Sequence, residues 1–403
     1  MPPETRTPTA VRRAAMVRRL ETGGGLTDPR LREAYLSVRR EVLLPHAYVR
    51  VSGPGADPIG RRLLDGSHPD DREEWLELIH SDESVLLRRD GERLDALVRG
   101  PVTGRNMTSM STYGPATVEA LQDMLLEPGQ RYPELGPGPG VSLALAAAVT
   151  GPGLAAGVER DGPMAASAQR TLGRLGLDAA VVRGDPLEGH PDDGTFDRIR
   201  SGIGVPRVPS ARVAQLAPGG RLLTTLVTRT PSRPGQLLVT RTGAGRLRAV
   251  LTGRPRGYRS MLGHRWPSAV GHRARVEEDP GIARPTRLAP PPDDAHGFWL
   301  AAASLVGGVV RDFRAGTMTL VSPEDDSWAV SGPGDGTVRV HGPRDVWGEV
   351  EDARARWVRA GRPVRYAVDV ADATGPQTVT SGPGPRALTW TLPPLAAVPG
   401  RSP

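Results

Sequence analysis

Apolar residues in the first hundred positions recur at helical spacing in three places. Val11 to Leu20 carries them along one face and stops at Gly23-Gly24-Gly25. Asp28-Pro29 opens a second helix through Tyr35 and Val38, with Asp28 as N-cap and proline suited to the first turn. Trp75, Leu76, Leu78 and Ile79 supply the apolar face of a third, over Asp71 to His80. This region therefore reads as helices joined by loops.

From Gly114 the pattern alternates. Pro115 to Leu126 is helical, Gln130 to Leu135 is extended, and a glycine-rich turn leads into a helix over Val141 to Val149. Leu154 to Val158 reads as a strand, Gly162 to Leu175 as a helix and Ala179 to Val182 as a strand. Phe196 to Ile199 and Arg221 to Val227 add two more strands, the second after Ala217-Pro218-Gly219-Gly220. Strands alternating with helices predict an α/β fold with a parallel sheet covered on both faces. Ligands of such sheets sit beyond the carboxyl ends of the strands, at the switch point.

Ala283 to Asp294, with three prolines from Pro290, reads as a linker. Beyond it a smaller α+β unit is expected, with strands at Thr317 to Val321, Thr337 to His341, Val364 to Val370 and Leu388 to Leu392. Asp335-Gly336 is a turn pair, and Arg344 to Ala360 is an amphipathic helix bearing Trp347, Val350, Ala353 or Arg354, and Trp357 on one face. The two tryptophans read as core, the alternative being a peptide-binding face. Three regions result: a helical, substrate-side segment over 1–105, a Rossmann-like domain over 106–282, and an α+β extension over 295–403.

Composition narrows the classes. The 403 residues contain no cysteine, which excludes disulfide scaffolds, thiolate metal sites and cysteine nucleophiles together. Net charge is +7, every basic residue is arginine, and glycine and proline are both abundant. That combination reads as a coding bias toward GC. The arginines interleave with acids, as in Asp71-Arg72-Glu73-Glu74, so a mixed solvated surface is expected and no nucleic-acid partner. No apolar run approaches the roughly 18 residues of a bilayer span. Nor does an apolar stretch follow the basic start, so a cytoplasmic protein without a membrane partner is expected. The 8 histidines show no i, i+4 pair flanking an acid, so no metal site is expected; His46, His80 and His190 stand singly.

The chemistry concentrates in RYPELGPGPGVSLALAAA, from Arg131 to Ala148. An acid, Glu134, lies at a strand end, and Gly136, Gly138 and Gly140 alternate before a helix. Glycines let backbone turn sharply and approach a ligand, and a helix N-terminus favours polar or anionic groups. The alternative is a plain turn. Glu159 ends the next strand 23 positions after Gly136, where an acid takes the hydroxyls of a ribose, and Asp185 follows the third strand. This set favours a methyl donor over a dinucleotide, since Gly-x-Gly-x-x-Gly is absent.

In these segments the chain resembles the protein-L-isoaspartate O-methyltransferases. The resemblance runs from about Arg12 to Arg221 through LREAYLSVRREVLLPHAY, Asp82 in HSDESVL, MTSMSTYGP, PELGPGPG, GVERD, RGDPLEGHP, TFDRI, VPRVP and AQLAPGGRLL. It implies a Rossmann-like methyltransferase that uses S-adenosylmethionine, held by Glu134, Leu135, Gly136, Gly138, Gly140, Glu159, Arg160 and Asp185. Ser111, Thr112 and Asp82 take the catalytic positions, and the acceptor is an aspartyl or isoaspartyl carboxylate of a protein or peptide. EDARARWVRAGRPVRYAV and the terminal TWTLPPL resemble the extension of a branch in peptide-maturation clusters, alongside ATP-grasp graspetide or lanthipeptide enzymes. There the ester on a ribosomal peptide closes to an aspartimide. Hydroxyls of Ser109, Ser111 and Thr112 would orient the acceptor; the alternative is that the cluster caps the helix near Pro115.

The chain departs from the family pattern at several points. Pro137 and Pro139 stand where the family has Thr and Ser, Pro133 lies in a central strand, and Pro186 replaces the glycine after Asp185. Without a gap, Tyr113 takes the place of a family serine that a one-residue insertion would restore as Thr112. Two lost amide donors predict donor binding weakened roughly 10- to 100-fold. The competing reading is an inactive scaffold that binds a precursor peptide or partner enzyme.

Overall fold

The computed structural model describes residues 7–23, 25–53, 59–104, 107–192, 194–227, 235–253, 273–286, 288–314, 316–332, 334, 336–371 and 375–395. Two units are distinct, Met1–Gly202 with Ala211–Leu223 and Ile203–Ser210 with Thr224–Pro403.

The first unit begins with α1 (Pro8–Thr22), α2 (Pro29–Ser37), α3 (Arg40–Leu43) and α4 (Arg72–Ile79). Asp28 caps α2 through the Arg30 amide, as its sequence position requires. The region is not simply helical. Strands β1 (His46–Arg50), β2 (Ile59–Asp65), β3 (Val85–Arg89), β4 (Gly100–Gly104) and β5 (Met107–Ser111) form an antiparallel sheet of order β4-β2-β1-β3-β5. Arginines hid it. HAYVR, IGRRLLD and VLLRR carry charge at positions where alternation calls for apolar residues, yet Arg61 and Arg88 are buried, their guanidinium groups bonded to the Gly104 carbonyl and to Asp161. Tyr48 pairs with Leu63 and Leu86, and the three form the cluster that holds the sheet.

A parallel sheet follows. Helix α5 (Gly114–Met124) precedes β6 (Tyr132–Leu135), α6 (Val141–Thr150), β7 (Ala155–Glu159), α7 (Gly162–Arg174), β8 (Ala179–Arg183) and β9 (Phe196–Val205). Within the first unit the order is β8-β7-β6-β9, all parallel, so the winding reverses between β6 and β9. This is a Rossmann-like arrangement, and the glycine turn leaves β6 at the reversal. Helix α6 is apolar nearly all round and buried nearly all round. Pro133 is tolerated because alternate amides point to opposite neighbours. The Tyr132 and Gly136 amides both bond toward β7, at 2.8 Å each. Pro133 therefore faces the β9 side, where register begins only at Glu134.

Helix α8 (Ser210–Ala214) and strand β10 (Leu216–Leu226) follow, and β9 and β10 each run from the first unit into the second. The second unit continues with β11 (Gly235–Arg241), β12 (Leu247–Gly253), α9 (Arg273–Glu278), β13 (Ile282–Pro285), α10 (His296–Leu305), β14 (Val310–Arg314), β15 (Thr317–Val321), β16 (Trp328–Ser331), β17 (Thr337–His341), α11 (Val346–Arg359), β18 (Arg365–Val368), β19 (Thr378–Thr380) and β20 (Thr389–Thr391). Antiparallel pairs join β11, β12, β18, β19 and β20 in that order, and a separate sheet runs β13-β17-β16-β15-β14. Helices α10 and α11 meet over the second sheet through Phe298, Trp299, Trp347 and Val350.

Two boundaries differ from the sequence reading. Residues 224–253 belong with the C-terminal unit, because β12 pairs with β18. The expected linker is partly a strand: Ile282 to Pro285 pairs with β17, and the Pro292 carbonyl accepts the Trp299 indole at 2.8 Å. Trp347 is fully buried and donates to the Thr286 hydroxyl, so it presents no peptide-binding face. Asp335 of the expected turn lies outside the described residues. None of the described helices is long and apolar enough to cross a membrane.

Candidate active site

The glycine turn is built by its glycines. Gly136, Gly138 and Gly140 have φ of +80°, +54° and +85°, a region that costs an L side chain strain. The Pro137 carbonyl accepts the Gly140 amide at 3.0 Å, closing a tight turn that delivers the chain into α6. The Pro137 ring fills the space over Gly157, where an added Cβ would lie 2.9 Å from it. The proline substitution is thus accommodated by a glycine on the neighbouring strand.

Glu159, at the carboxyl end of β7, reaches this turn. Its Oε2 accepts the Gly138 amide and its Oε1 the Asp161 amide, both at 3.1 Å. Burial pushes its carboxyl above the usual range, opposed by these backbone donors. A carboxylate has about four acceptor positions, so capacity for hydroxyl donors remains. Asp185 lies after β8, where its Oδ1 accepts Arg160 Nη2 at 3.1 Å and the Leu187 amide at 3.0 Å. Glu159, Arg160 and Asp185 are therefore brought together, with the Glu159 carbonyl accepting the Gly184 amide.

Glu134 and Leu135 are placed differently. Leu135 is wholly buried within β6. The Glu134 carboxylate is 1% exposed and accepts the Tyr132 hydroxyl at 3.1 Å, the Ser142 hydroxyl at 2.6 Å and the Arg200 guanidinium. It braces the start of α6 against β9 through a buried ion pair. Arg200, like Gly202 beside it, was missed by sequence reasoning. A Cβ on Gly202 would lie 2.2 Å from the Gly136 carbonyl oxygen, so β9 and the turn touch backbone to backbone. A glycine inside a strand is the signal that would have found it.

The turn's amides are all engaged internally. Gly136 donates to Val158, Gly138 to Glu159 and Gly140 to Pro137, while Pro137 and Pro139 have none.

Strand β5 passes over the turn from the other side. A Cβ on Gly138 would be 3.9 Å from both the Ser109 hydroxyl and the Met110 carbonyl. Ser109 is buried and donates to the Met164 sulfur of α7 at 3.9 Å. Ser111, on the same face of β5, is 4% exposed and makes no side-chain hydrogen bond among the described residues; Thr112 also makes none. They do not cap the next helix, which corrects one of the two sequence readings. Tyr113 is the N-cap of α5, and its side chain makes no capping hydrogen bond. The preceding loop holds this segment: Asp82 accepts the Gly114 amide through its carbonyl at 2.9 Å, and Ser84 accepts the Tyr113 amide at 3.1 Å. Asp82 Oδ2 takes Arg19 at 3.3 Å, whereas Oδ1 is buried with no partner among the described residues.

Of the singly standing histidines, His80 is the most buried. Its Nδ1 bonds the Leu76 carbonyl at 2.9 Å, its Nε2 lies 3.8 Å from Glu41 Oε2, and burial pushes its pKa down to about 4.

Comparisons with known proteins bear on the family. Residues 100–238 match the family model "Protein-L-isoaspartate(D-aspartate) O-methyltransferase (PCMT)". A protein-L-isoaspartate O-methyltransferase of Brucella anthropi is 38% identical over 96 residues, covering 24% of this chain and 43% of its own. One of Trichlorobacter lovleyi is 32% identical over 151 residues, covering 37% of this chain and 67% of its own. A solved protein-L-isoaspartate O-methyltransferase structure, 18% identical, aligns with a TM-score of 0.49 over 94% of this chain and 98% of that one. The chain spans about half the length of several curated relatives it matches. With two thirds of the Trichlorobacter protein aligned at this identity, the chain belongs to the protein-L-isoaspartate O-methyltransferase family.

Proposed function

We propose that this chain binds S-adenosylmethionine at the Gly136–Gly140 turn and methylates an aspartyl or isoaspartyl carboxylate of a protein or peptide. The observation that carries this is the Glu159 carboxylate, locked onto the Gly138 amide at the switch point with acceptor capacity to spare. When bound, the donor supplies a methyl carbon on a sulfonium leaving group. Glu159 accepts ribose hydroxyls, and Arg160 with Asp185 closes the adjoining edge. Ser111 and Thr112 donate to the acceptor carboxylate and aim one oxygen at the methyl carbon, with β5 excluding water.

No proton has to move. The acceptor is ionised at neutral pH; its oxygen forms a bond to carbon as the carbon–sulfur bond breaks, leaving a methyl ester and a neutral thioether. A general base is therefore not required of the site. Asp82 acts through its carbonyl, setting Gly114 and the hydroxyl segment before it.

The acceptor is further proposed to be an aspartate in a ribosomal peptide. In that case the next backbone nitrogen attacks the ester carbonyl and methanol leaves, giving an aspartimide. Support for this step, and for an ATP-grasp or lanthipeptide enzyme as partner in the cytosol, is the resemblance of residues 351–368 and the terminal TWTLPPL to that branch. A second reading, a scaffold without catalysis, is favoured by the turn's lack of uncommitted amides.

The test is mass spectrometry of isoaspartyl and precursor-like aspartyl peptides after incubation with the chain and the donor. A mass gain of one methylene, or loss of one water, is expected. Neither product, with no donor binding at millimolar concentration, leaves the scaffold reading.

A further inference from the structure

Arg88 sits on β3 opposite Ser109 of β5, between two register shifts in that pairing. Bulges re-aim a side chain, and this one sends Arg88 out of its own sheet. Arg88 is 9% exposed and each nitrogen of its guanidinium is engaged: Nη2 donates to the Gly91 carbonyl at 2.9 Å, Nε to that of Glu92, and Nη1 to Asp161 Oδ2 at 2.5 Å. Two of these bonds hold the arginine to the turn that follows its own strand, and the third crosses to the carboxyl end of β7.

Asp161 is the junction. Its Oδ1 caps α7 through the Met164 amide at 3.0 Å, and its own amide donates to Glu159 Oε1. Met164 in turn accepts the Ser109 hydroxyl, from the residue paired with Arg88. The contacts close a ring: Gly138 to Glu159, Glu159 to Asp161, Asp161 to Arg88, and Arg88 across the ladder to Ser109 over Gly138. We infer that Arg88 is a positioning residue for the donor site, holding Asp161 so that Glu159 keeps the orientation its ribose role demands. This rests on the donor-binding reading above. No atom of Arg88 needs to touch the donor; its effect passes through one carboxylate and one amide.

The experiment is calorimetric titration of S-adenosylmethionine into the full chain, wild type first, then Arg88→Met, Arg88→Lys, Asp161→Asn and the Arg88→Met/Asp161→Asn pair. Loss of one charge-assisted bond in the ring is expected to weaken binding by roughly 5- to 20-fold. The double variant is expected to be little worse than either single one, because both break the same link. Lysine keeps the charge without the fork and is expected to recover part of the loss. In turnover, KM for the donor should rise while kcat at saturation stays within about threefold, as for lost uniform binding. Unchanged dissociation constants in folded variants overturn the inference while leaving the donor reading intact. A wild-type chain that binds no donor overturns both. If Arg88→Met does not fold, Arg88→Lys and Asp161→Asn decide the question by the same criteria.

Discussion

The two walls of the proposed site are made by different means. On the parallel-sheet side, position is set by backbone: three positive-φ glycines, a Gly202–Gly136 contact that admits no Cβ, and amides gripping Glu159. On the N-terminal side, position is set by side chains: Arg88 reaching Asp161, Arg19 reaching Asp82 and the His80 carbonyl, and Ser84 receiving the Tyr113 amide. A backbone-built wall tolerates few residue types and is hard to tune. A side-chain wall accepts substitutions, which suits the acceptor side of the proposed transferase.

The comparison breaks most severely at Arg200. Beneath the backbone-built wall it neutralises Glu134, both groups being almost inaccessible. Arg200→Met should destabilise the chain by about 3–5 kcal/mol in urea unfolding, since it strands a buried carboxylate. Adding Glu134→Leu should restore most of that. A single variant as stable as wild type would mean the pair is solvated.

The side-chain wall is tested by acid. His80 has its pKa pushed down from 6.5 to about 4 by burial, so the unfolded chain binds a proton the native chain refuses. Stability from this residue is fully present above pH 6.5 and is lost as pH falls toward 4, up to about 3 kcal/mol. His80→Gln should flatten that part of the stability profile. A variant with the wild-type slope would place the titration elsewhere.

The same division governs what could be read in advance. The glycines were legible because a tight turn with positive φ leaves few residue choices, and the positions of Glu159 and Asp185 followed from their spacing after successive strands. Helices α1, α2, α4, α5, α6, α7 and α11 were legible from their apolar spacing and from Asp28-Pro29, whereas α3, α8, α9 and α10 were not. The antiparallel sheet was not, because Arg61 and Arg88 occupy strand positions where period-two reasoning expects apolar side chains. Glu134 illustrates the remaining limit. Its place at the end of β6 follows from the motif, but its engagement with Arg200 depends on a strand some 65 residues later, a pairing no local pattern encodes. The joining of β12 to β18 escaped for the same reason.

A smaller effect sharpens the backbone side. Pro137→Thr with Pro139→Ser returns two amides to the turn at about 1 kcal/mol each, and should tighten donor binding by roughly tenfold or more. The gain is read by the same titration, and a weaker-binding variant would show that Pro137 is needed against Gly157.

The central claim is that Glu159 holds the donor, and the direct measurement is the donor's dissociation constant for wild type and Glu159→Ala, repeated as pH is lowered. The wild type should bind, and the variant should bind at least about tenfold more weakly through loss of charge-assisted bonds. Because burial raises the Glu159 pKa, wild-type binding should weaken on acidification earlier than an ordinary glutamate would impose, and the variant should lack that dependence. Equal dissociation constants for two folded proteins, with the same pH profile, would contradict the account.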